Sequence, residues 1–290
     1  MSGNSGNSGN AGNTGTAGLL GPGGGIASPD RVELPFIAER TPDRDRRDVR
    51  GLLIPRDRWR DQHWSPEWRA WIALSKIPPA TLAALQAITV ADWRARDEAA
   101  ELADLAILAE DERADALDEI VAQDRQYANF MAEFVILLGI SPGSHPRMVT
   151  LLHLAALLGV LVVMRLKERP AEGVPPRPRP SHRMPALKPP VEVPGHASYP
   201  SGHATQATLM ALIAAEALPA AEREAWRPLL LTLAYRIARN REIAGLHYAS
   251  DSEAGREAAG RIFGALREMP GFEAMLEEAR REWSRSDGTL

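Results

Sequence analysis

The apolar run at residues 148–164, MVTLLHLAALLGVLVVM, leaves this chain of 290 residues few ways to fold. Such a run must be kept away from water, and it comes close to the length that crosses a bilayer. It is slightly short for that purpose, contains His153 and has no comparable partner elsewhere in the chain. A helix enclosed on all sides by other helices has the same composition. We therefore predict a buried core helix over 146–168 rather than a membrane span.

Helices that could enclose this run are predicted on both sides of it. Pro66 suits the first position of a helix behind a Ser65 cap, and Trp64, Trp68 and Trp71 fall on one face that we expect in the core. Apolar residues recur at intervals of three and four over further stretches: 79–108, 110–139, 202–218, 221–243, 248–268 and 271–284. No segment of the sequence alternates in the manner of a strand. The predicted fold class is all-α, a helical bundle.

Two stretches differ from this helical pattern. Residues 1–28 are rich in Gly, Asn and Ser, so they cannot bury enough apolar surface to offset their ordering entropy, and we predict that they are disordered. The remainder, 29–290, is predicted to form a single helical catalytic domain. Within it the proline-dense stretch 168–195 cannot be helical. A long irregular stretch inside a domain is often functional.

The composition excludes several classes of function. A net charge of -4 gives no sign of a nucleic-acid partner, which normally requires a basic surplus. The absence of cysteine excludes disulfides, thiol catalysis and thiolate metal sites. The N-terminal segment lacks the basic and apolar parts of a secretory signal, so a cytoplasmic location is the default expectation. The sequence does not fix the oligomeric state, and a homo-oligomer stays open.

Three groups of residues suited to binding an oxyanion follow residue 165. They are Lys167 with Arg177 and Arg179 of RPRP; Ser201, Gly202 and His203 of PSGH; and Arg241, His247 and Asp251 of RNREIAGLHYASD. Each group has an ordinary structural interpretation: solvated arginines, a serine that caps a helix, and a His–Asp pair on a helix surface. Together they favour an oxyanion site, because planar arginine forks suit the oxygens of such an anion.

The histidines and the helix start supply the remaining chemistry of this site. Asp251 follows His247 by one helical turn and can accept the Nδ1–H of that ring, which leaves Nε2 free as a nucleophile or a ligand. The hydroxyl of Ser201 and the amide of Gly202 would lie at a helix N-terminus, where an anion is favoured. His203 would then act as the acid–base group on the other side of the anion. No carboxylate-rich cluster suggests a divalent metal.

The segments RPRPS, YPSGHAT and NREIAGLHYASD resemble the three signature motifs of the type 2 phosphatidic acid phosphatase and vanadium haloperoxidase superfamily. The resemblance covers residues 165–255, and three motifs in this order are specific. It implies an α-helical bundle whose site holds phosphate or its analogue vanadate. By resemblance His247 is the nucleophile, or the axial vanadium ligand, and His203 is the acid–base residue. The residues around the equatorial oxygens would be Arg179, Arg241, Ser201 and Gly202.

One residue departs from the family pattern. The first motif has a lysine seven residues before its arginine, whereas Glu172 occupies that position relative to Arg179. The nearest lysine is Lys167, twelve residues before Arg179, as if a short piece had been inserted. We expect Lys167 to reach the anion if the inserted loop bulges outward.

Three functions remain open, and we favour a vanadate-dependent haloperoxidase that oxidises a halide with hydrogen peroxide. His196, five residues before Ser201, favours this function, because bromide-oxidising members resemble this chain in having a histidine there; we count it among the catalytic candidates. The alternative is a metal-independent phosphomonoesterase that cleaves a phosphate ester through a phosphohistidine and needs no cofactor. The characterised haloperoxidases are considerably longer than 290 residues, which favours this alternative. A catalytically silent helical interaction protein is the remote third.

Overall fold

The computed structural model describes residues 64–124 and 126–286, and in these ranges the chain forms eleven α-helices and no strand. The predicted disordered tail at 1–28 lies outside the described residues. The all-α prediction is confirmed. The helices are α1 (Pro66–Ser75), α2 (Pro79–Gln86), α3 (Glu98–Asp111), α4 (Arg113–Ala122), α5 (Tyr127–Leu137), α6 (Pro146–Glu168), α7 (Pro180–Arg183), α8 (Gly202–Glu216), α9 (Ala220–Ile243), α10 (Ala249–Arg267) and α11 (Phe272–Ser286).

The apolar run forms the central part of α6. This helix is long and apolar enough to cross a membrane by length and composition, and 78% of its most apolar window is buried inside the protein. It packs against α1, α5, α8, α10 and α11. A Cβ on Gly159 would lie 2.8 Å from Cγ of Gln206 in α8, so the two helices cross at very close range. The buried fraction of α6 is that of a core helix.

A second close crossing joins α8 to α10. A Cβ on Gly255 would lie 2.7 Å from the carbonyl oxygen of Ser201 and 2.9 Å from Cβ of Ala204. The start of α10 is therefore held against the start of α8. The amide of Ser201 donates to the carbonyl oxygen of Asp251 over 2.9 Å, which ties the two helix starts together. This crossing brings two of the three sequence motifs into contact.

The helix boundaries predicted before residue 140 are wrong in two places. The stretch 79–108 breaks after Gln86, where the β-branched run 88–90 favours extended backbone. A new helix then begins after Asp97, whose carboxylate accepts the amides of Ala99 and Ala100. The stretch 110–139 divides into α4 and α5 around residues 123–126. Periodicity continues through both breaks, so it could not reveal them.

The expected core packing of the tryptophans is also wrong. The exposed fractions of Trp64, Trp68 and Trp71 are 43%, 48% and 45%. The residue that α1 buries fully is Ala70, and a small side chain allows the helix to lie close to α6.

The proline-dense segment after α6 is irregular, as predicted, apart from α7 and the 3₁₀ turn Pro185–Leu187. Backbone and side-chain bonds anchor it: Val90 donates its amide to the carbonyl of Pro170, and the indole of Trp93 donates to that of Pro175 over 2.8 Å. The amide of Ser198 donates to the carbonyl of Arg177. The segment is therefore pinned at several points, and it delivers two buried arginines.

Candidate active site

The predicted site residues come together, and almost all of them lie at ends of helices. Lys167 lies in the last turn of α6 and Arg241 in the last turn of α9, where positive charge complements the helix dipole. Arg179 directly precedes α7. The remaining residues lie at the starts of α8 and α10 or just before them: His196, Ser201, Gly202, His203, His247 and Asp251. Helix ends present unsatisfied backbone groups as well as side chains, so this arrangement suits an ionic ligand.

His247 is held in one tautomer by contacts on both ring nitrogens. Its Nδ1 lies 3.0 Å from Oδ2 of Asp251, and its Nε2 lies 3.1 Å from Nη1 of Arg179. A guanidinium can only donate, so Nε2 accepts and Nδ1 carries the proton that Asp251 receives. Burial lowers the pKa of His247 well below its usual value, and Arg179 and Lys167 lower it further. The ring is therefore a neutral imidazole with its lone pair on Nε2.

Arg179 links this nucleophilic nitrogen to His196. It is 1% exposed, and its Nε and Nη2 donate to the carbonyl oxygen and to Nδ1 of His196 over 3.1 and 3.0 Å. Its Nη1 also donates to the carbonyl of Leu246. Burial lowers the pKa of Arg179 to about 10, against the opposing effect of Asp251. His196 is exposed, yet its ring is bonded to the site.

Arg241 has donors without partners. It is 1% exposed, and Nη2 donates to the carbonyl of Ile120 over 2.6 Å, while Nη1 lies 3.8 Å from Oδ1 of Asp124. Its Nε and Nη1 are buried and make no hydrogen bond to the described residues. Burial lowers the pKa of Arg241 to about 10. Because unsatisfied buried donors of a charged group are costly, this guanidinium is suited to an incoming anion.

His203 faces the end of α4. Its Nε2 lies 3.0 Å from the carbonyl oxygen of Gln123, which can only accept, so Nε2 carries a proton. The ring packs against Phe130 with centroids 4.9 Å apart. Burial lowers the pKa of His203 to about 3, and the charge of Arg241 contributes. His203 is therefore neutral near pH 7 while no anion is bound.

Lys167 reaches the cluster from α6 in spite of its displaced position in the motif. Its ammonium group is buried and donates to the carbonyls of Ala197 and Ser198 over 2.7 and 2.8 Å. Burial lowers the pKa of Lys167 well below its usual value, and the charge of Arg179 lowers it further. Glu172, which occupies the expected lysine position, is exposed. The cluster therefore has a third cation.

Ser201 and Gly202 form the start of α8. The hydroxyl of Ser201 accepts the amide of Ala204 over 3.4 Å, which is the capping role that the sequence left open. Gly202 is the first helical residue, and its amide belongs to the N–H groups that have no partner within a helix. The dipole of α8 adds positive potential at this point.

Sequence reasoning assigned no role beside Asp251 to three residues of the network around it. The hydroxyl of Ser198 donates to Oδ2 over 2.5 Å, and Nη1 of Arg177 donates to Oδ1 over 2.8 Å. Glu101 of α3 accepts from Nη2 of Arg177 over 2.7 Å. Arg177 was visible in RPRP but had no assigned role, and Ser198 stands within the second motif. Glu101 is one of many acidic residues on an amphipathic helix and carries no sequence signal.

The arrangement is suited to a tetrahedral oxyanion beside a neutral imidazole. Lys167, Arg179 and Arg241 all lie close enough to depress the pKa of His203. Within residues 64–124 and 126–286, no group of three or more His, Asp or Glu side chains could hold a metal ion. The positive charges that the described residues place at the site are those of side-chain cations and helix ends.

Comparisons with known proteins agree with this chemistry. The family model described as PAP2 superfamily matches residues 149–271. A non-specific acid phosphatase of Salmonella typhimurium is 34% identical over 93 residues, which are 32% of this chain and 35% of the relative. Its counterpart from Salmonella typhi is 33% identical over the same shares. The chain thus matches about a third of the length of these relatives. The matched segment, residues 149–271, contains every predicted site residue and is similar to the PAP2 superfamily.

Proposed function

We propose that this protein is a metal-independent phosphomonoester hydrolase that works through a phosphohistidine on His247. The observation that carries the proposal is the tautomer of His247, with Nδ1–H on Asp251 and the Nε2 lone pair directed at Arg179. The acid phosphatases among the relatives support this function better than the haloperoxidase that the sequence favoured.

In the first half of the reaction Nε2 of His247 attacks the phosphorus of the bound ester. Arg179 moves from Nε2 to the phosphate oxygens, and the unpartnered donors of Arg241 bind the same group. An N–P bond forms as the P–O ester bond breaks. The electron pair leaves with the alcohol oxygen, which takes a proton from protonated His203. Asp251 stabilises the positive charge that develops on His247.

His203 can carry that proton only after the anion has bound. Burial and three neighbouring cations hold the pKa of His203 at about 3 in the free protein. The negative charge of a bound phosphate opposes those cations and raises the pKa of the ring. In the second half of the reaction water attacks the phosphorus, the P–N bond breaks, and the proton of the water returns to His203. Inorganic phosphate leaves, and both rings are restored.

A vanadate-dependent haloperoxidase is the second candidate, and the contact between His196 and Arg179 favours it. Vanadate has the shape and charge of phosphate, so Lys167, Arg179 and Arg241 would hold it, with His247 as its ligand. When bound, vanadate supplies a Lewis-acid centre for the oxidation of a halide by hydrogen peroxide. The imidazole of His196 would stand beside that group and hold or release a proton.

A paired assay on one preparation separates the two functions. Hydrolysis of a phosphomonoester is measured without vanadate, and oxidation of bromide is measured with vanadate and hydrogen peroxide. We expect hydrolysis, together with an acid-labile phosphoenzyme trapped during turnover of a radiolabelled ester. Bromide oxidation with neither hydrolysis nor a phosphoenzyme would establish the second candidate instead.

A further inference from the structure

The two oxygens of Asp251 have separate partners. Oδ2 accepts from Nδ1 of His247, from the hydroxyl of Ser198 and from the amide of Tyr248. Oδ1 accepts from Nη1 of Arg177 over 2.8 Å, and both of these side chains are 0% exposed. The carboxylate therefore cannot rotate without breaking a buried ion pair. The oxygen that faces His247 is fixed by Arg177 on the opposite side.

Arg177 is itself fixed on several sides. Its Nη2 donates to Oε2 of Glu101 over 2.7 Å, and its Nη1 donates also to the hydroxyl of Ser250. Its guanidinium carbon lies 3.5 Å from the ring centroid of Tyr248. The other oxygen of Glu101 accepts the amide of Ser250 over 2.8 Å. A planar fork can bridge two carboxylates in this way, whereas a lysine ammonium is a single point charge.

The charges alternate along this chain of contacts. Glu101 is negative, Arg177 positive and Asp251 negative, and His247 becomes positive as its Nε2 forms a bond. Burial lowers the pKa of Arg177, but Asp251 and Glu101 raise it by more, so the guanidinium stays charged. Glu101 opposes the positive field of Arg177 and so leaves more of the charge of Asp251 available to His247. Glu101 lies in α3, before the family match begins at residue 149.

We propose that Arg177 and Glu101 are positioning residues that fix the carboxylate of Asp251 and thereby hold His247 in its reactive tautomer. The inference rests on the proposed function only for its effect on turnover. The tautomer itself is defined by contacts within the protein. Helix α3 lies outside the segment that matches the family model, and through Glu101 it would contribute a positioning residue to the site.

The test uses Glu101→Gln, Arg177→Gln and a matched control, Glu253→Gln. Glu253 lies in α10 two residues after Asp251, but its carboxylate pairs with Arg96 in an exposed bridge. Three quantities are measured on the full chain: the single-turnover rate of phosphoenzyme formation, the inhibition constant of inorganic phosphate, and the ¹⁵N shifts of the His247 ring. The ring signals are assigned by their loss in a His247→Gln protein.

We expect the two network variants to lower the rate of phosphoenzyme formation by about 10–100-fold, by analogy with the loss of an outer partner that orients a metal-binding histidine. The phosphate inhibition constant should change by less than about twofold, since the network touches none of the proposed phosphate contacts. The ¹⁵N shifts should move towards the other tautomer. The control should match the wild type in all three. A proportional loss of phosphate binding would show a merely structural role and overturn the inference, as would unchanged rates and shifts.

Two provisions keep the test decisive. Arg177→Gln leaves a buried oxygen of Asp251 without its donor, so melting temperatures are measured first, and Glu101→Gln carries the test if the arginine variant does not fold. If the wild type forms no phosphoenzyme, the proposed function fails, and the ring shifts alone decide. Shifts that move in Glu101→Gln but not in Glu253→Gln support the inference, and identical spectra overturn it.

Discussion

The two sides of His247 differ in how completely their polar groups are satisfied. On the Asp251 side, both carboxylate oxygens and most donors of Arg177 have short buried partners. On the opposite side, Arg241 has two buried donors without a hydrogen bond, and Nη1 of Arg179 donates to the lone pair on Nε2 of His247. Proteins rarely leave such groups unsatisfied. On the Asp251 side, Nε of Arg177 also makes no hydrogen bond to the described residues. The more fully bonded side is scaffold, and the Arg241 side, with two such donors on one guanidinium, is where a ligand is expected.

The largest loss of activity is expected on substitution of His247, which lies between the two sides. His247→Ala removes the only atom proposed to bond to phosphorus, so phosphomonoester hydrolysis should fall by roughly 10³-fold or more. The exposed His182 in α7 provides the control, since His182→Ala leaves the site intact. Initial rates and thermal melts are compared for both variants. Near-normal turnover in a folded His247→Ala protein would remove this residue from the mechanism.

A substitution of Arg177 should mainly reduce stability, whereas a substitution of Arg241 should mainly weaken phosphate binding. Arg177→Met breaks a buried ion pair and leaves Oδ1 of Asp251 and Oε2 of Glu101 without their donor, so stability should fall by about 3–5 kcal/mol. Arg241→Met removes one hydrogen bond, to the carbonyl of Ile120, and a long ion pair with Asp124, while Nε and Nη1 make no hydrogen bond, so its stability loss should be smaller. Phosphate binding should nevertheless weaken by about 1.5–3 kcal/mol, the range for a hydrogen bond to a charged group.

Chemical unfolding and calorimetric titration with phosphate measure the two quantities separately. Equal stability losses in Arg177→Met and Arg241→Met would erase the distinction between the two sides. So would phosphate binding that survives the loss of Arg241.

The glycine crossing between α8 and α10 can be tested with a matched pair on one helix. Gly255→Ala places a Cβ 2.7 Å from the carbonyl of Ser201, so α10 must shift and stability should fall by about 1–3 kcal/mol. Gly260→Ala meets nothing within 4 Å and should stabilise α10 by up to about 1 kcal/mol. Urea unfolding compares the two. Stability changes of the same sign would mean that α10 does not depend on this close approach.

The last comparison concerns pH and separates an imidazole inside the site from one outside it. The pKa of His203 is lowered to about 3 and that of His153 to about 4, both by burial. Below the ordinary value near 6.5 the unfolded chain therefore binds protons that the folded chain does not. Stability should fall as the pH falls from about 6.5 towards 4, by at most about 1.4 kcal/mol per pH unit for each histidine.

Phosphate should oppose this loss only through the site. A bound anion raises the pKa of His203, whereas His153 is bonded to the hydroxyl of Tyr127 away from the cations. Melting temperatures across this pH range, with and without phosphate, are compared in the wild type and in His203→Asn. Equal protection by phosphate in both proteins would place the relevant proton elsewhere.

The sequence predicted the elements whose signals are local. The apolar run identified α6, and three short motifs named the residues that gather around His247. The breaks within 79–108 and 110–139 escaped prediction because helical periodicity continues across them. The exposure of Trp68 and Trp71 escaped because a pattern indicates which residues share a face, not which face is buried. Glu101 escaped for another reason: its partner is 76 positions away in the chain, and only the fold brings the two together.

Lys167 shows that the position of a charge in the site can be kept when its spacing in the sequence is not. Its ammonium group reaches the carbonyls of Ala197 and Ser198 although twelve residues, not seven, separate it from Arg179. The intervening chain is anchored near both ends, at Pro170 and Pro175. A sequence motif that requires the lysine seven residues before the arginine does not match this chain. A structural criterion, a buried cation near the nucleophilic nitrogen, does match it. The exposed residues Glu172 and Gly173, between the two anchors, are therefore the place in this loop where residues could be added or removed with the least effect on Lys167 and Arg177.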